Sequence, residues 1–348
     1  MRIAVTTAAV IWILITARDV LQPLAVGLLV WLVLGASAHK IASLLPSRFR
    51  RGKTTVRIVG AAGILAILFT LGIFVGENIA ELRANIAVYQ ANLDAWFARA
   101  AAHFGATHTV HVADLLGRID VTRFAVTIAG STASYLAALF VVLAYVVFIF
   151  VEAEAVDRKI AAFAGDTARE RRLRSFLGSV RRGVDDFLAV QVLIGIVQAV
   201  PTYVVLALLG VDAPLFWAVL IFLFSFIPTI GTLIGITFPA LMTLLQFSSL
   251  GPFLVVVLVL GAVQVLCSNV LQPQLMSRSL NLSPLVVLFA VFAGGTVWGI
   301  VGALLAVPAL TIVAIACAEE PSLRRVAVAL SANGTLPSAN EAEPSSEE

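Results

Sequence analysis

The fold of this chain is decided by one stretch, Phe224-Ser-Phe-Ile-Pro-Thr-Ile-Gly-Thr-Leu-Ile-Gly-Ile-Thr-Phe-Pro239. It carries no charge, yet it contains Pro228, Gly231 and Gly235 in addition to its final proline. Proline removes a backbone donor and glycine weakens a helix. In hydrocarbon, each freed backbone group needs a new partner, so broken backbone occurs only inside protein or beside a water-filled cavity. The stretch therefore predicts either a kinked structural helix or a broken helix that offers main-chain groups to a solute.

The composition indicates an integral membrane protein. Of the 348 residues, 60% are hydrophobic and 12% are charged, whereas soluble domains carry about 25% charged residues. The net charge of +3 is too small to indicate a nucleic-acid partner. Both cysteines, Cys267 and Cys317, lie in apolar runs, so no disulfide framework is predicted. The apolar run after Met1 is interpreted as an uncleaved first span.

Basic residues concentrate in two loops, 39–57 and 152–186. The positive-inside rule places both loops in the cytoplasm, and with them both chain termini. The predicted regions are, in order, N-terminal spans with the first basic loop (1–76), an extracytoplasmic helical insertion (77–130), the fourth span and second basic loop (131–186), a C-terminal transport core (187–317) and a disordered acidic tail (318–348).

The insertion carries one apolar stripe with alternating four- and three-residue spacing, which is typical of a helix. This stripe is predicted to dock on the protein's own helices, on the membrane surface or on a neighbouring subunit. Three histidines follow without a cysteine, and no metal site is predicted there. The stripe comprises Leu82, Ile86, Tyr89, Leu93, Trp96 and Ala100, and the histidines are His103, His108 and His111.

The C-terminal core repeats the order of span and broken segment. The spans are predicted at about 187–209 and 253–271, and the broken segments at 215–246 and 284–317. If each broken segment is a re-entrant hairpin, the two units are inverted repeats, which are typical of a midplane binding site. If each crosses once, the chain has about eight spans. The predicted class is thus an all-α polytopic membrane protein with about eight membrane segments, two of them broken or re-entrant.

Uncharged polar side chains within the apolar runs are the candidates for solute contact, because such groups are costly in a membrane unless paired or used. Gln264 and Asn269, beside a break expected at Pro273, are the best of them. Helix-to-helix hydrogen bonding is the alternative. The carboxylates of Asp185 and Asp186 are interpreted as helix-start acids or as ion-coupling groups.

Asp212 has two interpretations as well. It could cap the helix that Pro214 opens, or it could couple transport to an ion. No acid lies at mid-depth in the core, which argues against obligatory cation exchange. Arg278 is predicted to anchor its loop at the membrane surface.

The chain resembles the autoinducer-2 exporter family of bacterial membrane proteins over roughly residues 1–325 in layout, with specific motifs in its C-terminal half. The matching motifs are Asp186-Phe-Leu with Gln191, Phe226-Ile-Pro-Thr-Ile-Gly231 with Gly235 and Pro239, Gln264 with Asn269, Pro273 to Pro284, and Gly294-Gly295 to Pro308. The resemblance implies a permease that exports small polar signals and forms a ring-like homo-oligomer. Sodium–proton exchange is an activity of some relatives in this family. Many relatives carry a glutamate where this chain has Cys267, which argues against ion coupling at that position.

The sequence therefore predicts an inner-membrane permease, not an enzyme, with no cofactor and no metal. Its partners would be the lipid bilayer and a small polar solute, with protons or sodium as coupling ions. A sodium–proton antiporter and a non-transporting scaffold are the alternatives. The path is predicted to run between the broken segments and to include Pro228, Thr229, Gly231, Gly235, Pro239, Gln264, Asn269, Pro273, Gly294 and Gly295.

Overall fold

A computed structural model describes residues 9, 12–44, 78, 84–104, 132–153, 155–228, 230–276 and 281–335. Regular structure within these residues is helical. The helices are α1 (Arg18–Leu44), α2 (Ile86–Phe104), α3 (Thr132–Ala153), α4 (Val156–Ala164), α5 (Thr167–Leu209), α6 (Pro214–Phe224), α7 (Ile230–Gln246), α8 (Leu250–Leu266), α9 (Gln272–Met276), α10 (Pro284–Glu319) and α11 (Arg324–Leu330).

Three helices of the described chain are long and apolar enough to cross a membrane: Thr167–Leu209, Leu250–Leu275 and Pro284–Glu319. Shorter apolar helices lie at Phe140–Ala153, Pro214–Phe224 and Leu233–Gln246. The prediction of an all-α membrane protein is confirmed. The count of about eight segments stays a prediction.

The chain divides into two units, each with its own contacts. One contains residues 62–140 and 192–272, and the other contains residues 1–61, 141–191 and 273–348. The core of the first unit is formed by buried residues of α2, α5, α6, α7 and α8 and of the turn after α5. They are Tyr89, Leu206, Val211, Trp217, Ile221, Ala240, Met242, Val256 and Leu260.

Helices α6 and α7 form an antiparallel pair, which we call the first hairpin (214–246). Helix α6 has 11 residues and is about 16 Å long, too short to cross roughly 30 Å of hydrocarbon. A Cβ added to Gly231 would lie 1.8 Å from the Phe224 carbonyl oxygen, and one added to Gly235 would lie 3.2 Å from the Ile221 side chain. Gly231 thus contacts Phe224 next to the turn, and Gly235 contacts Ile221 about one helical turn farther away. This pairing shows that the chain reverses direction between α6 and α7.

Helix α10 is also folded back on itself, and we call residues 284–319 the second hairpin. Its backbone leaves the helical region at Trp298 (φ −128°, ψ 15°) and Gly299 (φ 63°, ψ −141°). The second conformation has a positive φ, which glycine adopts readily. Gly294 and Gly302 would be about 12 Å apart in a straight helix. Instead, a Cβ added to Gly294 would lie 2.4 Å from the Gly302 carbonyl oxygen, and one added to Gly302 would lie 2.0 Å from the Gly294 carbonyl oxygen.

Pro228 lies at the break between α6 and α7, but the other prolines that the sequence analysis emphasised do not mark breaks. Pro239 is inside α7 and Pro308 is inside α10. At Pro273 the expected break is absent, because a π-helical turn at Cys267–Leu271 joins α8 to α9. A proline costs a helix one hydrogen bond, and a π-helical turn can redistribute such bonds without ending the helix.

Asp185 and Asp186 are not helix-start acids. Helix α5 begins at Thr167, 18 residues before Asp185. Arginines and carboxylates four residues apart, such as Arg174 with Glu170 (2.9 Å), support its basic first half. The apolar run was therefore only the second half of a longer helix.

The predicted disorder of 318–348 is wrong for part of that range. Residues 324–330 form α11, which packs against α10, and Ala327 is buried. The Ser283 amide donates to the Leu330 carbonyl oxygen (2.9 Å), and the Ala332 amide donates to that of Asn281 (3.3 Å). Residues 336–348 lie outside the described residues. Ala327 and Leu330, three residues apart on one side of α11, are the residues of this helix that are covered.

Candidate functional site

The turn of the first hairpin lies between Phe224 and Ile230, and its described residues are 225–228. Pro228 lies in it, and Thr229 lies outside the described residues. The Ile227 amide donates to the Phe224 carbonyl oxygen (2.9 Å), and the Gly231 amide donates to that of Ile227 (2.9 Å). The chain thus satisfies part of its own broken backbone, as a membrane segment must.

Helix α5 packs directly on this turn at Gly195. A Cβ added there would lie 2.6 Å from Ser225 Oγ and 2.7 Å from the Phe222 ring. The Ser225 hydroxyl donates to the Phe222 carbonyl oxygen (2.7 Å). Gly195 was not singled out from the sequence, because a glycine's role in close packing depends on its neighbour in the fold.

A chain of neutral polar groups connects α5 with the end of α8. Gln198, only 7% exposed, donates from Nε2 to Gln264 Oε1 (3.1 Å). Gln264 Nε2 donates in turn to Ser268 Oγ (2.7 Å). The Thr202 hydroxyl donates to the Gln198 carbonyl oxygen (2.7 Å). Since each link is an amide or a hydroxyl, the chain can exchange hydrogen bonds without moving charge.

Gln264 and Asn269 were the best candidates for solute contact from the sequence, and the structure pairs Gln264 with Gln198. Asn269 is exposed and forms no hydrogen bond with a described residue. Ser268 and Asn269 both lie in the π-helical turn, an irregularity that occurs frequently at functional sites. The four-residue spacing of Gln264 and Ser268 was the sequence signal for their contact.

The turn of the second hairpin is held by two hydrogen bonds to the N-terminal region. Gln22 Nε2 donates to the Trp298 carbonyl oxygen (3.1 Å), and Trp298 Nε1 donates to that of Leu14 (2.9 Å). Gly294 lies against Gly302, but a Cβ at Gly295 would meet nothing within 4 Å. Sequence reasoning missed Gln22 and Trp298. The amide side chain of Gln22, a polar group in the second apolar run, was the sequence signal that could have indicated this contact.

Asp212 is the centre of a hydrogen-bond network at the other end of the first hairpin. Its Oδ2 accepts from Tyr89 Oη (2.7 Å) and Asn85 Nδ2 (2.9 Å), and its Oδ1 accepts from Gln246 Nε2 (3.1 Å). The N-cap position of α6 is Ala213, without a side-chain cap. The helix-cap interpretation of Asp212 is therefore wrong.

The insertion helix α2 packs on α7 and supplies donors to its C-terminal carbonyl groups, which a helix leaves unpaired. Asn92 Nδ2 donates to the carbonyl oxygens of residues 245 (3.0 Å) and 246 (2.9 Å). Trp96 Nε1 donates to those of residues 244 (3.1 Å) and 247 (3.3 Å). Arg99 donates to that of Ser248 (2.6 Å). The apolar stripe thus lies on the protein's own helix along Tyr89 and Trp96. Leu82 lies outside the described residues.

The remaining predicted groups lie elsewhere. Asp185 pairs with Arg181 (3.4 Å) on α5, and Asp186 is exposed. Arg278, His108 and His111 lie outside the described residues. Within the described ranges, no three His, Cys, Asp or Glu side chains are grouped to hold a metal ion.

The AI-2E family transporter model matches residues 2–320. The chain belongs to the AI-2E transporter family. A relative from Escherichia coli K12, the AI-2 transport protein TqsA, is 30% identical over 158 residues, which are 44% of this chain and 46% of that one. Relatives with provisional transport-protein names occur in Borreliella burgdorferi (34% over 140 residues, 40% of this chain and 39% of the relative) and Haemophilus influenzae (29% over 196 residues, 55% of each).

The matched regions span between two-fifths and somewhat over half of these curated relatives. Family membership confirms the resemblance that the motifs indicated. It also agrees with the expectation that the chain is a membrane transporter and not an enzyme.

Proposed function

We propose that this AI-2E family member is a secondary permease that moves a small, neutral, hydroxylated solute past the first hairpin. The observation that supports this most directly is the chain of Gln198, Gln264 and Ser268. These groups lie in helices that are otherwise apolar, where polar side chains are costly unless they are paired or used.

The chemistry of this chain fits a hydroxylated solute better than an ion. Each amide offers both a donor and an acceptor, and a serine hydroxyl offers both in one atom. A sugar-like solute could replace the Gln198–Gln264 bond with bonds of its own at little cost. A cation would need a compensating charge or several oxygen ligands directed at one point. The three side chains carry no charge, and Gln264 Oε1 and Ser268 Oγ already accept hydrogen bonds from amide groups.

The other path residues keep roles within this proposal. Pro228 shapes the turn, while Gly231 and Gly235 allow α6 and α7 to pack closely. Thr229, which lies outside the described residues, stays a candidate for the path from the sequence alone. Asn269 is an exposed amide for an arriving solute. The list is completed by Pro239, Pro273 and, in the second hairpin, Gly294 and Gly295.

Export, an inner-membrane location and a homo-oligomer are further parts of the proposal. The family resemblance supports them, and the basic loops support cytoplasmic termini. Re-entrance of the first hairpin is proposed because α6 is too short to cross the bilayer. Re-entrance of the second is proposed because its chain reverses at Gly299 and brings Gly294 against Gly302. AI-2, the solute in the name of the Escherichia coli relative, is the first candidate.

The antiporter alternative would use Asp212 or the pair Asp185 and Asp186. Such a carboxylate has to exchange partners during each cycle. Asp212 already accepts three hydrogen bonds that connect α2 with α7, and Asp185 is in an ordinary (i, i+4) ion pair with Arg181. These contacts favour the permease.

Flux into liposomes that contain the purified chain tests this function. The solutes would be a hydroxylated furanose-type signal and sodium, each with and without a proton gradient. We expect saturable flux of the organic solute. Sodium flux alone would support the antiporter, and no flux from folded protein would support the scaffold.

A further inference from the structure

The segment that follows α3 is a second feature of interest, apart from the hairpins. Helix α3 is apolar, and its side chains Phe148 and Val151 are 69% and 68% exposed near its C-terminal end. Such a surface is expected to face lipid. Helix α4 begins at Val156, three residues after α3 ends. The end of α3 therefore places α4 at the surface of the bilayer.

Helix α4 is amphipathic. Val156, Ile160 and Phe163 recur at steps of four and three residues and so share one face. Phe163 is 76% exposed and Val156 is 40% exposed, so the described chain leaves these two side chains of the face uncovered. Ile160 is half-buried, and the neighbouring Ala164 is buried. Lys159 lies on the flank of this face, and Arg158 lies on the opposite side of the helix. This is the pattern of a helix that lies in the interface with its apolar side toward the acyl chains.

The first half of α5 adds positive charge beside it. Gly165, with φ 72°, ends α4, and α5 then starts at Thr167. Some cations here are paired, as Lys159 is with Glu152. Others are exposed and form no ion pair with a described residue: Arg158, Arg169 and Arg172.

We propose that residues 156–182 bind the headgroups of anionic phospholipids, with Phe163 inserted at the acyl boundary. The partner follows from charge complementarity, since unpaired arginines beside a membrane surface attract acidic lipids. A zwitterionic surface offers them no net attraction. The membrane is also the surface that α3 brings nearest to α4.

A spin label in place of Phe163 tests the proposal in the full chain. Cys267 and Cys317 are buried, so a cysteine at 163 can be labelled selectively. The label's accessibility to oxygen and to a water-soluble nickel complex would be measured in liposomes of phosphatidylcholine, with or without phosphatidylglycerol. A label at Ala162, on the opposite face, is the matched position.

We expect the label at 163 to become oxygen-accessible and nickel-protected only when phosphatidylglycerol is present, while the label at 162 stays in water. In the double variant Arg169→Ala/Arg172→Ala, insertion of the label at 163 should no longer depend on phosphatidylglycerol. Each arginine removed should lower the equilibrium constant for insertion about fivefold. The control variant Arg324→Ala/Arg325→Ala removes the same charge from exposed positions of α11. It should preserve the dependence of label insertion on phosphatidylglycerol. A label at 163 that stays in water, or that inserts equally in both lipids, would overturn the proposal.

Discussion

Gly294 and Gly295 are neighbours with opposite environments in the second hairpin. A Cβ at Gly294 would lie 2.4 Å from the Gly302 carbonyl oxygen, whereas one at Gly295 would meet nothing within 4 Å. We expect Gly294→Ala to force the two limbs apart and to reduce the free energy of unfolding by about 1–3 kcal/mol. Gly295→Ala should leave stability unchanged or raise it slightly. Thermal unfolding in detergent would measure both, and equal effects would contradict the hairpin geometry.

At this scale the sequence predicted the residue types but not their contacts. Gly294 and Gly295 were given the same role because nothing local distinguishes them. Their difference arises from Gly302, eight residues away, which approaches only because Gly299 reverses the chain. For the same reason Gln198 could be recognised as a polar group in an apolar run, but not as the partner of Gln264.

At the scale of elements, α2 acts as the C-terminal cap of α7. Asn92→Leu would leave two carbonyl oxygens without their donor, at a cost of about 1–3 kcal/mol. Trp96→Phe should cost about 1 kcal/mol for the same reason. Val88→Ala, at an exposed position of α2, is the control and should have little effect. Chemical denaturation would rank the three variants by their free energy of unfolding. If Asn92→Leu left that free energy unchanged, the capping role of α2 would be contradicted.

The Asp212 network makes a second prediction about elements. Gln246 Oε1 accepts from the Asp212 amide (2.8 Å), and its Nε2 also donates to the Gly210 carbonyl oxygen (2.8 Å). The Gln246 side-chain amide cannot rotate by 180° without losing both bonds. Asp212→Asn would therefore place its new NH2 group against another donor, either Gln246 Nε2 or the donors of Tyr89 and Asn85. We expect Asp212→Asn to lower stability by about 1–2 kcal/mol and Tyr89→Phe to lower it by about 1 kcal/mol.

Comparison of the same two variants in flux assays separates a structural role from ion coupling. A structural Asp212 predicts that neither variant changes the dependence of solute flux on pH or sodium. If Asp212→Asn alone abolished such a dependence, the carboxylate would be a coupling group.

Broken elements were predictable from sequence, but the exact positions of the breaks were not. Proline and glycine in an uncharged stretch were enough to predict that 215–246 is interrupted. The interruption lies between Phe224 and Ile230, whereas Pro239 lies inside α7 and does not interrupt it. A helix tolerates the one hydrogen bond that a proline such as Pro239 removes. The break forms instead where the two helices of the hairpin can pack closely and satisfy the freed backbone groups.

At the scale of the whole molecule, hydropathy was the most informative property. A 60% hydrophobic chain has to satisfy its backbone with helices, and the described chain is helical. The helical part of the tail was missed because α11 owes its order to contacts with α10 rather than to its composition. A solute cannot be inferred from composition either, since it depends on which polar side chains meet.

The most direct test of the central claim is solute flux through Gln264→Leu in proteoliposomes. Gly261→Ala, three residues earlier on α8 and with nothing within 4 Å of its added Cβ, is the control. We predict that Gln264→Leu lowers flux of the hydroxylated solute about tenfold or more, a loss equivalent to about 1.4 kcal/mol or more, while Gly261→Ala transports normally. Wild-type flux from a folded Gln264→Leu protein would contradict the proposed path.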